Sequence, residues 1–187
     1  SPMTDPNTTK RVFISACEPS ADAHCANLIR AYSTLNADTL LEENVTGEKS
    51  LPKFDIEWVG VGGEKMAAAG CEVRENTVDR AAMIYNVFTQ LGYYTKLLDR
   101  IAEYLDQNEV DLVIVCDSPA FNFHVAKAAK KLGIPVLFYV APQLWAWASW
   151  LVHKLRRCCD ALACILPFEQ QWFSSRGISA PFVGNPL

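Results

Sequence analysis

Five short apolar runs recur along this chain, each rich in β-branched or aromatic residues and bounded by turn formers: RVFISA from Arg11, IEWVGVG from Ile56, DLVIVCD from Asp111, PVLFYVA from Pro135 and ALACILP from Ala161. Runs of this length without strict alternation suit strands buried on both faces. Helical patterns lie between them. One is expected from about Asp22 to Leu35, with Ser20 or Asp22 as a cap. A second covers Phe88 to Gln107, where Leu91, Tyr94, Leu97, Leu98, Ile101, Tyr104 and Leu105 recur near a period of 3.6, and a third runs from Phe121 to Leu132 ahead of Gly133. Strand, helix and strand in repetition imply right-handed parallel crossovers. The fold class is therefore α/β, a doubly wound, mostly parallel Rossmann-like sheet. Ligands of such sheets bind at the carboxyl ends of the strands, beside the switch point. That rule selects Ala16 to Asp22, Gly60 to Glu64, Asp117 to Asn122 and Ala141 to Ser149.

Composition narrows the function classes. Half of the 187 residues are hydrophobic and the formal net charge is −4, so the basic surface of a nucleic-acid binder is not expected. Seven cysteines form no C-x-x-C pair and sit mostly in apolar runs, which reads as buried reduced thiols in a cytoplasmic protein rather than a disulfide framework or zinc site. The three histidines lack metal-ligand spacing, so no metal is expected; helix surfaces or satisfied polar contacts are. The stretch from Phe138 to Val152 contains Pro142 and falls short of the ~20 residues of a spanning helix. Residues 1–9 read as a disordered tail or cloning scar, residues 10–187 as one domain, and Asn36 to Lys53 as a loop.

Each of the four places has two readings. Gly60, Gly62 and Gly63 suit either the approach of a ligand oxygen to backbone N–H groups or a tight strand-to-helix turn. Asp117 suits either a base at a cleft or a cap for the next helix. The tryptophans of APQLWAWASW either fill a core or stack on a sugar or lipid.

Taken together, SACEPSADAHCANLI, VGVGGEKMAAAGCE, AAM, DSPAFNF, YVAPQLWAWAS, ILPFE and FVGNPL resemble, in order and spacing, the amino-terminal half of the lipid-A-disaccharide synthases, inverting glycosyltransferases of two-domain GT-B architecture. The resemblance implies transfer of 2,3-diacylglucosamine from its UDP derivative to 2,3-diacylglucosaminyl 1-phosphate, without metal or cofactor. This chain would supply the acceptor side. A second domain, absent here, would hold the UDP-sugar, so the half chain alone is expected not to turn over. On the family's motifs, Asp117 is the base and Asn122 orients Asp117 or the acceptor. Glu18, Ser20, Asp22, Gly62, Gly63, Gln143, Trp145 and Trp147 contact substrate. Acylated substrates imply a cytoplasmic protein peripheral to the inner membrane. Ala81 to Leu98, and the tryptophan loop with Lys154, Arg156 and Arg157, are expected to meet lipid.

The chain also departs from the family pattern. Cys17, Ala21 and Cys25 stand at three glycine positions of the first loop, Ala120 replaces an acid, Ala148 and Leu151 replace arginines, and Asn185 stands where many members have His. At a position requiring positive φ, Ala or Cys would cost on the order of 1 kcal/mol. Two alternatives stay open: an enzyme of the same fold using another nucleotide sugar, and a noncatalytic lipid-binding paralogue.

Overall fold

Val12, Ile14 and Ala16 point to one side of the first strand and Phe13, Ser15 and Cys17 to the other, and all six are buried, so both faces of that strand must be covered. In the computed structural model, which describes residues 9–46, 55–139 and 161–163, two helical layers do this. The elements are β1 (Thr9–Ala16), α1 (Pro19–Thr46), β2 (Asp55–Gly62), α2 (Glu64–Ala68), β3 (Glu72–Asn76), α3 (Thr77–Ala82), α4 (Val87–Gln107), β4 (Leu112–Cys116), α5 (Pro119–Lys131), β5 (Val136–Tyr139) and β6 (Ala161–Ala163). The strands pair in parallel in the order β3-β2-β1-β4-β5-β6. The switch point lies between β1 and β4.

Helices α4 and α5 pack Leu97, Ile101, Leu105, Phe123 and Ala126 onto Phe13, Val59, Val113, Val115 and Phe138. On the opposite face, α1 and α2 bring Ala21, Cys25, Ile29 and Met66 against Val12, Ile14, Ile114 and Cys116. Five of the six strands lie where the apolar runs predict them. The exception is β3, whose sequence EVREN is charged and only half-buried; it is an edge strand, and charge along an edge discourages further pairing.

Two further differences have local causes. The loop expected from Asn36 is helical as far as Thr46, because the segment holds Leu, Ala and Glu with no Gly or Pro before Gly47, although it carries no 3.6-residue apolar stripe. Residues 47–53 of that expectation lie outside the described ones. The short α3 was also not expected. It starts at Thr77, whose buried hydroxyl donates to the Ala16 carbonyl at 2.6 Å and ties the end of β3 to the end of β1.

The turn after β2 is organised from α1. Buried Asp22 accepts backbone N–H bonds from Gly63 at 3.0 Å, Met66 at 3.0 Å and Lys65 at 3.2 Å, and so caps α2 across a separation of 41 residues or more in sequence. A Cβ at Gly63 would lie 2.5 Å from Asp22 Oδ2, and one at Gly60 would strike the Ile14 carbonyl oxygen in β1. Replacing Asp22 by Ala would strand three N–H donors, two of them in buried bonds, and should lower the unfolding free energy by about 2–4 kcal/mol, measured by urea denaturation; a loss below the scatter of surface substitutions would rule out this clip as a main tie of α1 to α2.

Candidate functional site

At the carboxyl end of β4 the backbone turns through two consecutive residues with positive φ, Asp117 at 52° and Ser118 at 41°. Neither is glycine, and such a conformation persists only where neighbours hold it. The holder is Asn122 on α5. It is fully buried, with Nδ2 donating to the carbonyls of Asp117 at 2.7 Å and Cys116 at 3.1 Å, while Oδ1 accepts from the Ser15 hydroxyl of β1 at 2.8 Å. Asn122 thus shapes the turn that presents Asp117, and its polar atoms are spent on the protein itself. Ser15 was not legible as a site residue, being hidden within an apolar strand.

Asp117 does not cap α5. The N-cap is Ser118, which makes no side-chain cap bond, and the Asp117 carboxylate is hydrogen-bonded instead to Ser20 of α1. Burial, reinforced by the negative charge of Glu18, pushes the Asp117 carboxyl up to about 6, with the Ser20 bond opposing the rise. Glu18 and Ser20 are exposed at the mouth of α1. The two loops that flank the switch point therefore bring Glu18, Ser20 and Asp117 together.

Other predicted contacts separate from this group. Both oxygens of Asp22 are occupied by the α2 backbone, and the N–H of Gly63 is one of its donors. Gly62 is buried beneath the Met66 side chain, on which an added Cβ would fall. In this structure Asp22 and Gly63 serve the turn and Gly62 packs on Met66, in keeping with the packing alternative read for the glycines. Gln143, Trp145 and Trp147 lie outside the described residues, as do Lys154, Arg156 and Arg157.

A cavity of about 690 Å³ opens beside the turn. Leu91, Tyr94 and Leu98 of α4 and Pro119, Ala120 and Phe121 of α5 form its walls, with Glu18, Ser118 and His124 among its polar lining. Above it, large apolar side chains before and at the start of α4 are exposed among the described residues: Tyr85 is 93 % exposed and Phe88 85 %, and Met83, Val87 and Leu91 are also exposed. Among the described residues no group of His, Cys, Asp and Glu could hold a metal ion. His124 is exposed on α5, whereas His24 is buried on α1 with Nδ1 unpartnered, unlike the satisfied contact expected; burial lowers its pKa. The four described cysteines, 17, 25, 71 and 116, are buried free thiols.

The family model described as lipid-A-disaccharide synthetase matches residues 12–187. The chain belongs to this family. Its similarity to lipid-A-disaccharide synthases extends to 35 % identity over 185 residues with that of Geobacter metallireducens, 34 % over 179 with Trichlorobacter lovleyi and 32 % over 186 with Myxococcus xanthus. These alignments cover 98, 95 and 99 % of the chain respectively, but only 42–43 % of each relative, so the chain spans less than half the length of these synthases. Among solved structures it shares its fold with the S. aureus MnaA–UDP co-structure, at TM-score 0.61 and 13 % identity over 95 % of this chain and 44 % of that one. A UDP-N-acetylglucosamine 2-epimerase follows at 0.59 and 12 %, over 95 % and 48 %.

Within this family, the departures at the first loop's glycine positions of the motif now have an account. None of Cys17, Ala21 and Cys25 has a positive φ, and all three are buried against the sheet, so the positions demand small volume rather than glycine's freedom. The strain sits one strand away, at Asp117. Because the folded-state pKa of Asp117 is raised, its stabilising effect is complete below the unfolded value near 4 and is lost as pH rises through about 6. Asp117→Asn, which tolerates the left-handed backbone, should therefore raise the melting temperature at pH 8 and leave it unchanged at pH 3.5; a shift of equal size at both pH values would show that charge is not the cause.

Proposed function

We propose that this chain is the acceptor-side domain, residues 10–187, of an inverting glycosyltransferase of lipid A biosynthesis, which joins UDP-2,3-diacylglucosamine to 2,3-diacylglucosaminyl 1-phosphate. The observation that carries the reading is Asp117. It is a carboxylate at the switch point of a Rossmann-like sheet, tuned toward neutral pH and set beside an apolar cavity. Asp117 takes the proton of the attacking acceptor hydroxyl as that oxygen bonds to the anomeric carbon and the bond to UDP breaks on the opposite face. Glu18 and Ser20 contact the acceptor sugar and keep Asp117 poised, one by its charge and the other by its hydrogen bond. Gln143, Trp145 and Trp147 belong to the same wall on the family's pattern. The donor is a nucleotide sugar, a reading in keeping with the fold shared with the UDP-bound MnaA structure, and it is bound by a second domain, a reading supported by the length of the relatives. No metal or cofactor takes part.

An acyl chain of the acceptor enters the cavity between α4 and α5. The exposed side chains from Met83 to Leu91 lead from that cavity to the lipid surface, which makes the protein peripheral to the cytoplasmic face of the inner membrane. No helix among the described residues is long and apolar enough to cross a membrane.

In the full-length enzyme, Asp117→Asn should lower the transfer rate by about 10²–10⁴-fold, and the parent's kcat/KM should fall as pH drops through about 6, where the base becomes protonated; equal rates in mutant and parent would remove Asp117 from the chemistry. The paired variant Phe88→Ser, Leu91→Ser should lose flotation with anionic liposomes while keeping its far-ultraviolet circular dichroism. A parent chain that stays in the soluble fraction at low salt would end the membrane part of the reading.

A further inference from the structure

A second cavity of about 690 Å³ lies on the other flank of α4, toward the β3 edge, and its chemistry is the opposite of the first. Arg80, Lys96 and Arg100 line it, with Glu75 as its one carboxylate. Glu75 is already engaged: Arg100 bridges it through both carboxylate oxygens at 2.9–3.1 Å, and the Tyr93 hydroxyl donates to it at 3.1 Å. Arg80 lies over the Tyr93 ring at 5.6 Å, and Lys96 forms no ion pair among the described residues. Among the described residues two cations are thus left without an ion-pair partner inside a concave site, on a protein whose net charge is −4.

What adjoins the site restricts its ligand. Ile84 and Thr89, with Asn76 and Gly92, complete the lining, and next to Ile84 and Thr89 in the chain stand the exposed Met83, Tyr85, Val87 and Phe88. A soluble anion would have no use for that apolar rim, whereas a phosphate carried on acyl chains matches both parts. We infer that this cavity is a headgroup site for an anionic membrane phospholipid, in which Arg80 and Lys96 meet the phosphate while the start of α4 sits among the acyl chains. Arg100, fixed by Glu75, braces the wall. The site would set the depth and rotation of the protein on the bilayer, so that the apolar cavity on the other flank of α4 opens toward lipid. This inference rests on the membrane part of the proposed function and is independent of the chemistry at Asp117.

The test uses the full-length enzyme and vesicles of phosphatidylcholine with or without phosphatidylglycerol. Arg80 and Lys96 are both exposed, so Arg80→Gln with Lys96→Gln leaves the core untouched. Binding to phosphatidylglycerol vesicles should fall about fivefold for each charge removed, and binding to pure phosphatidylcholine should not change. Lys127→Gln with Lys131→Gln on α5 removes the same charge elsewhere and should have much the smaller effect. Equal losses in the two double variants would mean general attraction without a site, and no loss in the first would overturn the inference while leaving membrane docking intact. A parent that binds neither vesicle would sink both. Transfer in detergent micelles separates the remaining source of phosphate: an unchanged KM for acceptor is expected in the Arg80, Lys96 variant. A raised KM would assign the cavity to a substrate phosphate and overturn the headgroup reading.

Discussion

Everything at the ligand end of the sheet depends on one buried amide. Asn122 joins three segments that are distant in sequence: the Ser15 hydroxyl in β1, the carbonyls that close β4, and its own helix α5. A buried amide that lost any of these partners would leave polar groups stranded without water, so the network is either fully formed or strongly destabilising. That all-or-none character makes it suited to holding two left-handed residues in succession. The position of Asp117 is inherited from the core rather than chosen by a flexible loop. Thr77 and Asp22 repeat the device with other chemistry, each fastening a turn to a neighbouring element through a buried oxygen.

The strand framework was legible because buried parallel strands write themselves as unbroken β-branched runs, and α4 because its face toward the sheet repeats near every fourth residue. The parts that escaped lack those signals. The end of α1 has helix-forming composition without a stripe, and β3 is an edge strand whose side chains are mostly charged, so neither has the pattern that burial imposes. At the site, the motif led to Asp117, Glu18 and Ser20, which the fold gathers at the switch point. For Gly60, Gly62 and Gly63 the sequence supported two roles equally, since a glycine that lets a ligand approach the backbone and one that permits a tight turn are the same residue. Only the location of the N–H donors separates these roles.

Helix α4 organises the surface as Asn122 organises the interior. One flank faces α5 across an apolar cavity, the other faces the β3 edge across a cationic one, and among the described residues the large apolar side chains before and at its start are exposed. Its buried residues, Leu97, Ile101 and Leu105, are fixed to the sheet, so the exposed portion projects from a rigid base. The orientation of any surface it meets is therefore coupled to the orientation of the sheet, and through the sheet to the turn at Asp117.

The buried thiols carry a consequence of another kind. Cys17 and Cys71 are pushed up to about 12 by burial, and the neighbouring Cys25 and burial raise Cys116 well above the ordinary thiol value, while Cys25 itself is buried on the face of α1 toward the sheet, so these thiols are shielded from solvent while the fold is closed. A thiol reagent can reach them only when α1 lifts from the sheet or the strand ends part. Their alkylation rate therefore clocks the local opening of the layer behind the Asp117 turn, and the chain carries an intrinsic reporter of its own breathing.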